Sequence, residues 1–299
     1  MSERIYLGVS ETADRWKVSR RSVRDYCEKG RVEGALLSYG EWRIPTEAEK
    51  PVRKRRQARG HRDLLSVLRM ERETSYSGGI YHKIQIDLTY NSNHIEGSKL
   101  THEQTRYIFE TRTIGVTDSP VNVDDIIETV NHFNCIDAVI DSTGQKLSES
   151  LIKRLHGILK SGTEDSRKAW FMVGEYKKLP NEVASRETAR PEDVKSEMRA
   201  LLASYNAISE VTLDDILDFH VRFERIHPFQ DGNGRIGRLI MFRECLRNDI
   251  VPFIITEELK MYYYRGLEKW DEERGWLRDT CLTAQDDMRR SLEYFRIDT

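Results

Sequence analysis

The sequence predicts a mainly helical protein: a large all-α domain interrupted by one short β-hairpin, with a small unit of two helices and a hairpin ahead of it. From about residue 62 onward, apolar residues recur every three or four positions, as in Val123 to Ile140, Leu151 to Leu159, Pro191 to Tyr205 and Thr212 to Ile226. The 299 residues, 38% hydrophobic and 33% charged, suffice for a large and a small core and are unlike a disordered chain. No run is apolar enough for a membrane span, and Met1 to Tyr6 lacks a signal-peptide core, so a cytoplasmic location is expected.

The amino end differs in charge from the rest. Residues 1–60 carry a net +6 and the remainder a net −8. Ser10 is expected to cap a helix through Ala13 and Trp16, which breaks at Lys17-Val18. Ser19 then caps a second helix with Val23 and Cys27 on one face and Gly30 as its stop. Leu36 to Pro45 reads as a hairpin, turning at Tyr39-Gly40 and pointing Trp42 and Ile44 inward. Val9 to Ala13, Val18 to Arg24 and Trp42-Arg43-Ile44-Pro45 together resemble the excisionase/MerR-type winged helix-turn-helix. The resemblance implies that Arg20, Arg21 and Arg24, at the front of the second helix, could reach DNA phosphates or guanine edges. Such modules also dock proteins. The run Arg53-Lys54-Arg55-Arg56 after Pro51 reads as a solvated linker. The expected layout is therefore 1–50 as the winged unit, 51–75 as a basic linker and connecting helix, and 76–299 as the large helical domain. Cys27, Cys135, Cys245 and Cys281 have no paired spacing and read as reduced thiols.

The stretch from Ile226 to Arg238, IHPFQDGNGRIGR, carries the chemistry. Pro228 should end the preceding helix at His227 and leave the imidazole at a loop mouth. Gly232 and Gly234 flank Asn233 and permit left-handed turns that point successive N–H groups into one concavity. A helix starting near Asn233, with Ile236, Leu239, Ile240 and Leu246 as its buried stripe, would aim its positive end at the same place. Arg235 and Arg238 lie about a turn apart and suit a polyphosphate. Asp231 offers a hard oxygen for Mg²⁺. Base, metal ligand, phosphate cradle and charge neutralisers are the parts of a phosphate-transfer site.

At every defining position this stretch resembles the signature of the Fic family, and the similar region spans roughly residues 80–290. The resemblance implies an all-α Fic fold with a short β-hairpin flap. It also implies transfer of AMP from ATP, with Mg²⁺, to a Ser, Thr or Tyr hydroxyl of a protein. It assigns His227 as the base, Asp231 as the metal ligand, and Gly232, Asn233, Gly234, Arg235 and Arg238 to the phosphates. Doc-type kinases carry lysine where Gly234 stands, so glycine favours AMP transfer.

Upstream, Ser92-Asn93-His94-Ile95-Glu96-Gly97 ends a helix with a carboxylate in its last turn, which the helix dipole disfavours unless a cation compensates. The segment resembles the Fic inhibitory motif, Ser or Thr followed four residues later by Glu. An inhibitory helix near 86–97 is thus implied, with Ser92 and Glu96 as its motif residues and Glu96 paired to Arg238 in the γ-phosphate's place. Removal of AMP by a Glu96-directed water is a further activity the resemblance leaves open.

His220 reads as a satisfied core histidine and His94 as surface or packing. The segment from Gly174 to Pro180, within a β-like stretch from Phe171 to Val183, resembles the flap that aligns a target peptide, with Lys177, Lys178 and Leu179 as docking residues. Tyr263 resembles the family's adenine-side position. Self-modification is expected; the target protein and association with a second copy are open. The alternative from another class is a DNA-binding regulator whose Fic domain senses nucleotide. A pure sensor would not need His227.

Overall fold

The computed structural model describes residues 5–38, 40–51, 62–115, 120–183 and 186–298. Tyr39 of the expected hairpin turn and the basic run 53–56 lie outside them. The chain divides into two compact units, Met1–Gly60 and His61–Thr299.

In the first unit, β1 (Tyr6–Leu7) leads into α1 (Val9–Trp16) and α2 (Arg20–Glu28), followed by β2 (Leu36–Ser38) and β3 (Glu41–Pro45). Helix α1 starts earlier than Ser10 predicts. Gly8 is its N-cap, and the Glu11 carboxylate accepts the Gly8 N–H at 2.9 Å, a local bond that outcompetes a serine cap. Lys17 in the left-handed region ends α1, and Ser19 Oγ accepts the Ser22 N–H to begin α2. Strand β3 sits centrally, antiparallel to both neighbours, with Leu37 opposite Trp42 and Leu7 opposite Ile44. Ala13, Trp16, Val23, Cys27, Val32 and Ile44 form the small core, against which Trp42 is partly buried.

The second unit holds α3 (Leu64–Glu73), α4 (Ile80–Ile95), α5 (His102–Thr111), α6 (Val123–Ser142), α7 (Glu149–Lys160), α8 (Pro191–Asn206), α9 (Leu213–Ile226), α10 (Asn233–Arg247), α11 (Lys260–Glu268) and α12 (Gly275–Phe295). Helix α10 is the hub. Its Ile236, Leu239, Ile240, Phe242 and Leu246 enter the main core, while Met241 and Cys245 enter a second cluster with α9, α11 and α12. The sequence predicts one apolar stripe here. Instead the helix is enclosed on all sides, and its polar residues are paired: Arg243 donates to the carbonyls of Ser142 and Gln145, and Tyr205 Oη donates to Glu244.

The expected β-stretch from Phe171 to Val183 is mostly irregular. Strand pairing is limited to β4 (Glu182–Val183) and β5 (Arg186–Glu187). Point contacts fix the preceding segment in place of a partner strand. Gly174, at φ 76°, packs against Gly157 and donates its N–H to His156 Nδ1 at 2.9 Å, and the Lys177 N–H reaches Pro228 O at 2.9 Å. Among the described residues, no helix is long and apolar enough to cross a membrane.

Candidate active site

Helix α9 ends at Ile226 because His227 takes a left-handed conformation (φ 51°), its N–H still bonded to Phe223 O at 2.9 Å. The loop that follows is braced from within. Phe229 is fully buried and stacks on His156 with ring centroids 4.0 Å apart, and the Asn233 carboxamide closes on both polar groups of the Phe229 backbone at 2.8 and 2.9 Å. Asn233, expected among the phosphate ligands, therefore spends its side chain holding the loop's shape. Gly232 caps α10 at φ 81°, which leaves the first amides of a long, buried helix without intrahelical partners and facing the loop.

Only Gly232 adopts the left-handed turn expected of both glycines. Gly234 is required for space: a Cβ there would lie 2.2 Å from Glu96 Oε1 and 3.0 Å from Arg238 Nη1. The local sequence pattern points to a conformational role because the neighbour that crowds Gly234 lies more than a hundred residues upstream.

Glu96 sits at the C-cap of α4, with Gly97 at φ 102° turning the chain away. Its Oε1 accepts from Arg238 Nη2 at 2.7 Å, and the same guanidinium donates to Ser92 Oγ (3.0 Å) and Ser92 O (2.9 Å). Arg238 is buried. Burial alone would lower its affinity for a proton, but Glu96 outweighs that and holds the guanidinium charged. Behind Arg238 lie His220, Glu224 and Tyr263. His220 is a core histidine as expected, but only half satisfied: one ring nitrogen shares a 2.6 Å hydrogen bond with Tyr263 Oη, while Nδ1 is buried without a hydrogen-bond partner. Burial, together with the charge on Glu96, raises the Glu224 carboxyl to about 8 against the pull of Arg238.

Tyr263, given to the adenine side by the resemblance, is 1% exposed and lies in the core against His220. Its neighbours Tyr262 and Tyr264 are the exposed members of that cluster, because α11 turns Tyr263 and Gly266 inward together. His94, expected as packing, stacks on Tyr90.

On the other side of the loop, Asp231 is half exposed. Lys160 Nζ (2.7 Å) and Arg235 Nη2 (3.3 Å) both grip its Oδ2. Burial would raise this carboxyl, but the two cations bring it down to about 2, so it is ionised at neutral pH. Arg235 also pairs with Glu128 on α6, and Lys160 with Glu128 and Asp165. Sequence reasoning passes over Glu128, Lys160 and Asp165; nothing in their local patterns separates them from solvated charges.

The His227 imidazole is pushed down to about 4, first by burial and then by the Lys177 ammonium, with the Glu224 carbonyl, Asp231 and Glu96 opposing. It is neutral at pH 7. Its Nδ1 is enclosed without a hydrogen-bond partner. Lys177, expected to dock a target, is 4% exposed, and its ammonium donates to Asn181 Oδ1, Thr188 Oγ1 and Ile226 O. It ties the flap segment to the end of α9. Lys178 and Leu179 are the exposed members of that trio.

A helix N-terminus presented this way, with a neutral histidine at one edge and carboxylate-paired arginines along it, offers amides and cations suited to an anion. In the comparison with known families, residues 146–245 match the Fic/DOC family. Among curated proteins it is similar to Protein adenylyltransferase Fic of Drosophila mojavensis, 26% identical over 238 residues that cover 77% of this chain and 43% of that protein. The Drosophila virilis protein of the same name is 27% identical, with 77% and 44% covered. The match thus spans under half the length of these relatives. The fold is similar to a Fic-domain-containing signaling protein from Bacteroides thetaiotaomicron (TM-score 0.60, 26% identity, 77% of this chain and 94% of that one). It is also similar to Fic-1 from C. elegans (TM-score 0.60, 19% identity, 78% and 72% covered), where the likeness concerns fold alone.

Proposed function

We propose that this chain is a self-restrained protein adenylyltransferase. The observation that carries the reading is the pairing of a neutral, loop-edge His227 with the open N-terminus of α10, flanked by Asp231, Arg235 and Arg238. The names of the Drosophila relatives support the same activity. His227 Nε2 takes the proton of a target Ser, Thr or Tyr hydroxyl as its oxygen attacks the α-phosphorus of ATP. The bond from that phosphorus to the bridging oxygen breaks, and pyrophosphate leaves. The amides of Gly232 and Gly234 together with Arg235 hold the α- and β-phosphates.

The donor set fits Mg²⁺. Lys160 and Arg235 occupy only Oδ2 of Asp231, which leaves Oδ1 for a cation, and no group of three or more His, Cys, Asp or Glu able to hold a metal exists among the described residues. One carboxylate plus phosphate oxygens and waters is how this ion is commonly held beside a nucleotide, where it neutralises the phosphates. Glu96 on Arg238 stands where the γ-phosphate would go. ATP must then bind with its α-phosphate misaligned, which restrains transfer. A water directed by Glu96 would instead hydrolyse the bond between AMP and the modified hydroxyl at the same site, releasing AMP and the free hydroxyl.

The test is labelling with ATP marked at the α- or the γ-phosphate, in Mg²⁺, of wild type, Glu96→Gly, and Glu96→Gly with His227→Ala. Strong α-label on protein in Glu96→Gly alone, the chain itself included, is the expected result. γ-Label alone would make the enzyme a kinase. No label would favour the second reading, a DNA-binding regulator that senses nucleotide. That reading draws on the exposed Arg20, Arg21 and Arg24 along α2 of the first unit, which we take as a winged helix-turn-helix docking module.

A further inference from the structure

Three carboxylates converge on one buried ammonium. Lys160 Nζ lies 2.5 Å from Glu128 Oε1, 2.7 Å from Asp231 Oδ2 and 3.1 Å from Asp165 Oδ2, with its side chain 3% exposed. These oxygens come from α6, from the turn after α7 and from the loop between α9 and α10, so one nitrogen draws three separately folded segments together. Arg235 completes the cluster on Glu128 and Asp231, and Lys168 touches Asp165 from the exposed side. Several carboxylate oxygens around one point are also what a hard divalent ion takes, at slightly shorter bond lengths; with the ammonium at that point, these three form no metal-holding group as they stand.

We propose that Lys160 is a built-in cation that fills the acidic cluster of Glu128, Asp165 and Asp231, so that the site admits a divalent ion only at Asp231 and only together with nucleotide. The role given to Asp231 rests on the adenylyltransferase reading; the filling of the cluster does not. Without the ammonium, three carboxylates would face Arg235 as their one buried cation. Free Mg²⁺ would then settle among them before ATP arrives and draw Asp231 toward α6. With it, Asp231 Oδ2 is committed and the carboxylate is held in one orientation by contacts that need no metal. Lys160 thus acts through Asp231, as a positioning residue.

The experiment uses Mn²⁺ alone as the probe, read by the loss of its free-ion electron paramagnetic resonance signal, on the full chain. Lys160→Met should gain one Mn²⁺ per chain in the absence of nucleotide, bound at least tenfold more tightly than by wild type. Adding Glu128→Gln to that variant should abolish the gain. Equal Mn²⁺ binding by wild type and Lys160→Met overturns the proposal. Should Lys160→Met not fold, wild type decides: Mn²⁺ uptake by the protein that requires ATP and exceeds what ATP alone binds supports the proposal, and uptake as tight without ATP overturns it. Wild type that takes up Mn²⁺ in neither state counts against the adenylyltransferase reading, while the gain in Lys160→Met still decides the role of Lys160.

Discussion

The Glu96 carboxylate and the Arg238 guanidinium meet at 2.7 Å across 142 residues of sequence, one at the end of α4 and the other on the first turns of α10. Because Ser92 on α4 binds the same guanidinium twice, Arg238 stays in place when Glu96 is removed. Glu96→Gly should therefore raise AMP transfer by tenfold or more. It should also lower stability by about 1–3 kcal/mol, since a buried cation loses its partner. Thermal unfolding with and without ATP checks the pairing: if the γ-phosphate replaces the carboxylate, ATP should stabilise Glu96→Gly more than wild type.

Gly234 and Glu96 should be energetically coupled. A Cβ at Gly234 enters the space of Glu96 Oε1, so Gly234→Ala should destabilise wild type by about 1–2 kcal/mol and cost less in a Glu96→Gly background, where only the 3.0 Å approach to Arg238 Nη1 remains. A double-mutant cycle on chemical denaturation reads the coupling. Equal costs in both backgrounds would show that the crowding is relieved some other way.

Acid should unfold this protein through its histidines. Burial lowers His132 and His220 to about 3 and His156 and His227 to about 4, with nearby cations adding to the shift. Each is depressed below its unfolded value of about 6.5, so its contribution is complete above pH 6.5. That contribution is lost as pH falls toward 3–4, at about 1.4 kcal/mol per pH unit per proton taken up. Denaturation midpoints measured from pH 7.5 to 4.5 should fall steadily below 6.5. His227→Ala should remove one proton's worth of that slope.

If His227 is the base of the proposed transfer, the same shift sets the acid limb of its rate. In Glu96→Gly the acid limb due to His227 should lie well below pH 6. Lys177→Met, which removes a cation that opposes the imidazolium, should move it upward. A pH–kcat/KM profile that does not move would mean that the limb belongs to another group.

How far the sequence reached depends on where the determining contacts lie. The end of α9 at His227 and the start of α10 at Asn233 follow from Pro228 and the glycines beside them, because a helix boundary is set within a few residues. The approach of Glu96 to Arg238 was accessible only because a short motif marks it. Glu128 and Lys160 carry no such mark. They reach Arg235 and Asp231 across 107 and 71 residues, and on their own helices they are single charges among many. Lys177 misled for a related reason: a lysine between Tyr176 and Lys178 in a glycine-bearing loop looks exposed, and only the return of Thr188 and the end of α9 encloses it.

The first unit allows a test independent of the catalytic one. Arg20, Arg21 and Arg24 are exposed along α2, while Val23 and Cys27 on its other face are in the core, so the helix presents its cations without cost to its packing. If the unit binds DNA, replacing all three arginines by Ala should weaken binding and lower the slope of log K against log salt by up to about 3, roughly one for each phosphate no longer neutralised. Fluorescence anisotropy with labelled duplexes at 50–200 mM salt, a range over which about six to ten neutralised phosphates would cost 10³–10⁵ in affinity, is sensitive enough. A slope unchanged by the triple substitution would move the DNA-binding face off α2. Salt-insensitive binding at every concentration would leave the module as a protein-docking unit.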